Sequence, residues 1–467
     1  MASAPPPGAE GLEPIEAAGP REGPGRRARG DAGIRLSIRG RSIQLRRLRR
    51  PPPVALRWLF ILGPGLIASS AGNDAGGIAT YAATGAQYGY DLIWVMVVVT
   101  ISLAVVQELC ARLGAATGRG LFDLIRERFG LGWSLLAIAA ILIANGGLAA
   151  SEFVGIGAAS ELLGIGGRVA IPVAAVLVWS LVVFGSYSRA EKVFLAMTLV
   201  FFAYPVAAVL GHPDWSAVAR GAFVPTFHRD PDYLFLMVAL IGTTITPYMQ
   251  LFQQSSIVER WGARKHYGPE RADVYLGVVF SNLMSIAIIV ATAATLHRAG
   301  HTRIETAADA AKALAPIAGA ASEVLFAVGL LGASLLAAAV LSLATAYAVS
   351  EAFGLLKGVD LDFRRAPGFF VLFTIYVVLG ALCALIPNLP VMRWLVGVQV
   401  LNGLLLPVFL ACLLRLANDG SLMGDLKNTR WQSALGWGSW ALVTIAIVAM
   451  LGAQFLSLIG VHVFHAS

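Results

Sequence analysis

Two interrupted apolar stretches hold the groups in this chain that could do chemistry. The first runs from Gly63 to Thr80 and breaks at Gly72-Asn73-Asp74-Ala75-Gly76-Gly77, where three glycines flank an amide and a carboxylate. Glycine weakens a helix by about 1 kcal/mol relative to alanine, so this density favours unwinding. A carboxylate at bilayer mid-depth costs ~3 kcal/mol on insertion scales, and is tolerated where it meets a cavity, an ion or a partner. Asp74 is therefore expected at the centre of a cation site, with capping of the next helix as its plainer role. Asn73 reads either as a ligand or water contact, or as a turn residue. The second stretch, Leu240 to Gln254, sets Pro247 among hydroxyls and amides. Proline removes a backbone donor and clashes with the carbonyl four residues back, so the helix should kink or unwind near Thr243–Thr246. The Thr246 hydroxyl then faces the site or bonds back to its own helix. Gln250 and Gln253, three apart, line a vestibule or bond between helices. Glu152 stands among Gly146, Gly147, Gly155 and Gly157, and an ionisable residue there reads as part of a permeation path or of the ion's surroundings. Gln399 and Asn402, also three apart, could reach the water shell of an ion.

The elements that must position these groups are membrane spans. Hydrophobic residues make up 57% of the chain and charged residues 13%, with mean hydropathy +0.73, values that exclude a soluble globule of 467 residues. Eleven segments are long enough to cross a ~30 Å hydrocarbon core. The broken first lies near 56–87, the broken sixth near 233–258 and the last near 434–460. With a cytoplasmic N-terminus, sixteen Lys and Arg fall in inner connections and seven in outer ones, leaving out the tail and Arg57. That bias places the N-terminus inside and the C-terminus outside. Spans one and six open two sets of five, about 55–211 and 233–416, with an extra helix about 434–460. Matching interruptions in two halves point to an inverted-repeat transporter with its site near the midplane.

Residues 1–50 contain eleven Arg against five Asp and Glu, which is +6 of the chain's net +8. This tail is expected to be disordered and cytoplasmic, with Arg46, Arg47, Arg49 and Arg50 against anionic lipid rather than nucleic acid. Domain boundaries follow as a tail over 1–50 and a transmembrane domain over 51–467. Cys110, Cys383 and Cys412 have no metal-type spacing. The sequence holds no phosphate-binding loop, nucleophile elbow or His-Glu-x-x-His pair, so no enzyme and no resident cofactor are expected.

At this point the residues resemble a family. Gly63-Pro64-Gly65, Asp74 to Thr80 and Gly85-Ala86-Gln87-Tyr88-Gly89-Tyr90 are similar to the first span of the natural resistance-associated macrophage protein (Nramp) family. Ala111-Arg112-Leu113-Gly114, Ser151 to Gly155 and Leu413-Leu414-Arg415-Leu416 extend the likeness over about 55–430. The resemblance implies an all-α, LeuT-like fold of eleven helices and divalent-metal import. It also implies that Ala71 and Thr243 offer the ion backbone carbonyls freed by unwinding. The sequence departs from the family where selectivity is set. The family's Asp-Pro-Gly-Asn keeps its Asp at Asp74, but its metal-binding Asn falls on Gly77. Its Met-Pro-His-Asn reads Thr246-Pro247-Tyr248-Met249, a later His falls on Gln253, and an acidic pair is reduced to Glu152 with Ala149. These departures resemble the Nramp-related magnesium transporter branch.

Thioether sulfur favours late transition metals, whereas Mg²⁺ takes carboxylate, carbonyl and water oxygens and keeps several waters. The sequence therefore leads to a monomeric cell-membrane transporter or facilitator that imports Mg²⁺, and also Mn²⁺, by alternating access with weak or no proton coupling. A proton-coupled Mn²⁺/Fe²⁺ importer is the alternative on the same scaffold, and a non-transporting membrane sensor or scaffold the alternative of another class.

Overall fold

The computed structural model describes residues 34–38, 41–45, 72–184, 202–228, 230–261, 267–358, 361 and 363–458. The chain divides into two units, Met1–Arg57 and Trp58–Ser467. In the first, β1 (Ile34–Ile38) pairs antiparallel with β2 (Arg41–Leu45), in register Ile34 to Leu45 and Leu36 to Ile43. Ile34, Leu36 and Ile38 alternate with Arg35 and Ser37, the period-two pattern that a hairpin needs.

The described part of the second unit is helical. Its elements are α1 (Ala75–Tyr88), α2 (Ile93–Thr117), α3 (Leu121–Leu162), α4 (Gly167–Val183), α5 (Ala203–Leu210), α6 (Trp215–Phe223) and α7 (Pro231–Thr244). They are followed by α8 (Pro247–Trp261), α9 (Tyr267–Thr292), α10 (Ser322–Phe353), α11 (Pro367–Ala384), α12 (Val391–Ala417) and α13 (Arg430–Leu458). Among the described residues eight segments are long and apolar enough to cross a membrane, α7 and α8 counting as one. They correspond to the expected spans two, three and six to eleven. The fourth is the shorter α4, the fifth is described only from Phe202, and the first half of span one lies outside the described residues.

Local chemistry sets the ends. Asp230 caps α7 by accepting from Asp232 N at 3.1 Å, ahead of Pro231 in the first turn. Gly118 and Gly354 close α2 and α10 in the left-handed conformation. Gly130, at φ 81° and ψ 178°, splits α3 into a short Leu121–Phe129 segment and a long span. That backbone region is essentially reserved for glycine.

Polarity is distributed inside out. Val169, Val176 and Ile445 are 64%, 66% and 68% exposed, while Asn145, Gln250, Gln253, Gln399 and Asn402 are fully buried. The apolar surface suits lipid contact, and the buried amides mark a polar interior. Small residues let the helices close on one another, as membrane packing requires. Gly155 of α3 lies against Ala75 of α1 and Ser334 of α10, and Gly242 of α7 lies against the backbone of Gln399 and Gly403 in α12.

Candidate metal site

The break in the sixth span falls where proline chemistry puts it. Helix α7 ends at Thr244, Ile245 and Thr246 are non-helical, and Pro247 opens α8. Pro247 has no N–H to give the Thr243 carbonyl, so that oxygen loses its helical donor. In the first span residues 72–74 form a turn, and α1 starts at Ala75 with Asp74 as its N-cap.

Asp74 is 1% exposed and held by three donors. Oδ1 accepts from Gly77 N at 2.6 Å and Gln399 Nε2 at 3.2 Å, and Oδ2 from the Tyr248 hydroxyl at 3.5 Å. It therefore caps α1 and also faces α8 and α12. Glu152, 1% exposed on α3, accepts from Ala75 N at 3.3 Å through Oε2. The two carboxylates thus share one helix N-terminus, whose free N–H groups and dipole favour negative charge. Among the described residues neither forms an ion pair with Lys or Arg. Two buried acids without a cation need protons or a bound cation to balance them.

Three oxygens crowd around Gly77. A Cβ built at Gly77 would lie 2.6 Å from the Gly72 carbonyl oxygen, 3.0 Å from Thr243 Oγ1 and 3.1 Å from Asp74 Oδ1. Three oxygens therefore surround a point that any larger side chain would fill. Thr246 Oγ1 is buried and makes no hydrogen bond to a described residue, so the back-bonded alternative is not the one seen. The donor set is all oxygen and amide, with Met249 packed in the apolar core. No group of three His, Cys, Asp or Glu residues arranged to hold a metal occurs among the described residues.

The remaining candidates separate into two sets. On α8, Gln250 and Gln253 are fully buried, and their amide atoms make no hydrogen bond to a described residue. Asn73 is instead occupied: Nδ2 donates to Ser281 Oγ at 3.2 Å, and Oδ1 accepts from Ser285 Oγ at 2.9 Å, tying the turn to α9. Asn402 Nδ2 donates to the Gly242 carbonyl at 2.5 Å, joining α12 to α7. Ala71 lies outside the described residues. Glu108 and Glu351 pair with basic residues, as their places at helix ends suggest. Glu108 meets Arg112 at 3.2 Å and Glu351 meets Lys357 at 3.1 Å. Sequence reasoning passed over Tyr248 as a partner of Asp74, though its place next to the helix-breaking Pro247 was a signal.

The sequence pattern described as natural resistance-associated macrophage protein-like matches residues 65–453. The chain belongs to the Nramp family. This Nramp member is 30% identical over 414 residues to a protein of Klebsiella pneumoniae named divalent metal cation transporter MntH, covering 86% of this chain and 95% of that one. A protein of the same name from Ralstonia nicotianae is 32% identical over 420 residues, covering 85% and 92%. Among solved structures, the Eremococcus coleocola manganese transporter superposes with TM-score 0.68 at 18% identity, covering 86% of this chain and 90% of that one. That match shows the fold, and the family is one of multi-pass membrane transporters.

Proposed function

We propose that this Nramp member imports hard divalent cations, Mg²⁺ and also Mn²⁺, by alternating access, with weak or no proton coupling. Its relatives' names support a divalent metal as cargo. The observation that carries the hard-ion reading is the cluster of oxygens around Gly77, where the Asp74 carboxylate, the Thr243 hydroxyl and the Gly72 carbonyl draw together, with Thr246 where the family's sulfur ligand falls. An ion held beside these groups would meet a carboxylate, a hydroxyl and a carbonyl, all hard oxygen donors. Gln250 and Gln253 would line its way to the cytoplasm. The chain would act as a monomer with its N-terminus inside and its C-terminus outside, its basic tail against anionic lipid.

The deciding experiment is uptake into proteoliposomes with Mg²⁺, Mn²⁺ and Ca²⁺ in competition and pH recorded on both sides. Mg²⁺ uptake that Mn²⁺ inhibits, without internal acidification, supports the reading; failure to move Mg²⁺ while Mn²⁺ enters overturns it. A proton-coupled Mn²⁺/Fe²⁺ importer is the second reading, favoured by the second carboxylate, Glu152, one hydrogen bond from α1. Acidification in step with metal entry would select it.

A further inference from the structure

We infer that a cleft between α3, α12 and α13 is a binding site for one anionic phospholipid. The cleft has a volume of about 260 Å³ and opens on the outer surface of the bundle. Trp133, Pro407, Val408, Ala411 and Trp440 line it, and Arg415 stands at one end. Two backbone-perturbing residues border it. Gly130, with its positive φ, turns the short first segment of α3 aside just before Trp133. On α12, Pro407 lies inside the helix, and its carbonyl accepts from Trp440 Nε1 of α13 at 3.0 Å.

The choice of occupant follows from charge and depth. Arg415 lies in the last turn of α12, is exposed, and pairs with no acidic residue among those described. Two neighbouring arginines at this end of the bundle are already engaged. Arg128 pairs with Asp419, and Arg112 bonds Glu108, Gln432 and Asn428. Guanidinium matches a phosphate in planar, two-pronged geometry, and a tryptophan suits the boundary between headgroup and chain. An acyl tail gains little by leaving surrounding lipid for an apolar wall, so selectivity must come from the headgroup at Arg415. Seven residues separate Arg415 from Val408, about 10.5 Å along a helix, which carries the cleft from headgroup depth into the chain region. Val408 also borders a small void that reaches Pro247, the residue that breaks the sixth span. A lipid seated here therefore lies one side chain from the hinge of the metal site.

The test is native mass spectrometry of the full chain released from nanodiscs of equal phosphatidylglycerol and phosphatidylcholine. The wild type should retain phosphatidylglycerol in preference. Arg415→Gln should reduce that retention about five-fold, the worth of one basic residue at an anionic surface, with phosphatidylcholine unchanged. Ala411→Trp, which fills the cleft, should lower retention of both lipids. If that variant does not fold, Ala411→Leu gives the same readout with a smaller side chain. The tail contributes equally to every variant, so the difference between chains reports the cleft. Equal retention by wild type and Arg415→Gln overturns the assignment. So does loss of the lipid to millimolar inorganic phosphate as complete as the substitution causes, which would make Arg415 a site for soluble anions.

Discussion

Exchanging Asp74 for alanine removes the group to which Gly77, Gln399 and Tyr248 all donate. Metal uptake in proteoliposomes is expected to fall to background, and full transport by the variant would end the site assignment. Gly77→Ala tests the convergent oxygens separately. Its methyl would occupy the point they surround and press on the Gly72 backbone, so uptake should fall at least tenfold while the protein still elutes as a folded species. Thr246→Met should raise the preference for Mn²⁺ over Mg²⁺ by about tenfold, because a thioether rewards the softer ion. These residues were legible in the sequence to different degrees. Asp74 and Thr246 announced themselves because an acid and a proline act on the few residues around them. Asn73 was open to two readings, and only the placement of Ser281 and Ser285, more than two hundred residues away, decides for the turn. Gln399 was expected near the ion's water, and its bond to Asp74 was not legible because it depends on how α12 crosses α1.

At the level of elements, the breaks at 72–74 and 245–246 follow from glycine and proline, whose effects are local. The tail hairpin escaped notice because its arginines dominate the composition while its period-two pattern is short. Pro247→Ala should restore a donor for the Thr243 carbonyl and lengthen the helix through the break. The expected outcome is slower uptake with unchanged or higher thermal stability, measured on the same preparation. A second test concerns the link between α3 and the loop after α12. The Ser421 hydroxyl, with Arg128 beside it, pulls the partly buried Asp419 carboxyl down to about 2. A group depressed on folding contributes stability above its unfolded value near 4, and loses it as pH falls through its folded value. The difference in melting temperature between wild type and Asp419→Asn should therefore stay constant from pH 5 to 8 and shrink below pH 4. Any pH dependence of uptake in the neutral range must then arise elsewhere.

For the whole molecule, the separation of exposed apolar from buried polar residues was readable from hydropathy, and the match with a solved transporter shows the same architecture. What hydropathy could not supply was the sharing of one helix end by two acids, since Asp74 and Glu152 belong to different spans. A divalent ion crossing 100 mV gains roughly 4.6 kcal/mol. Uptake should accordingly accelerate when a potassium gradient with valinomycin makes the vesicle interior negative, and collapse of that potential should slow it. Electroneutral exchange would show no such response.

Asp74 travels with α1, whereas Glu152 is rooted in α3 and reaches across through a single bond to the Ala75 amide. Any swing of α1 relative to α3 must stretch that link and pull the two negative groups apart. Cargo held at Asp74 would lose the second acid from its surroundings at the moment the helix tilts, so the stroke that uncovers the ion would also loosen its hold.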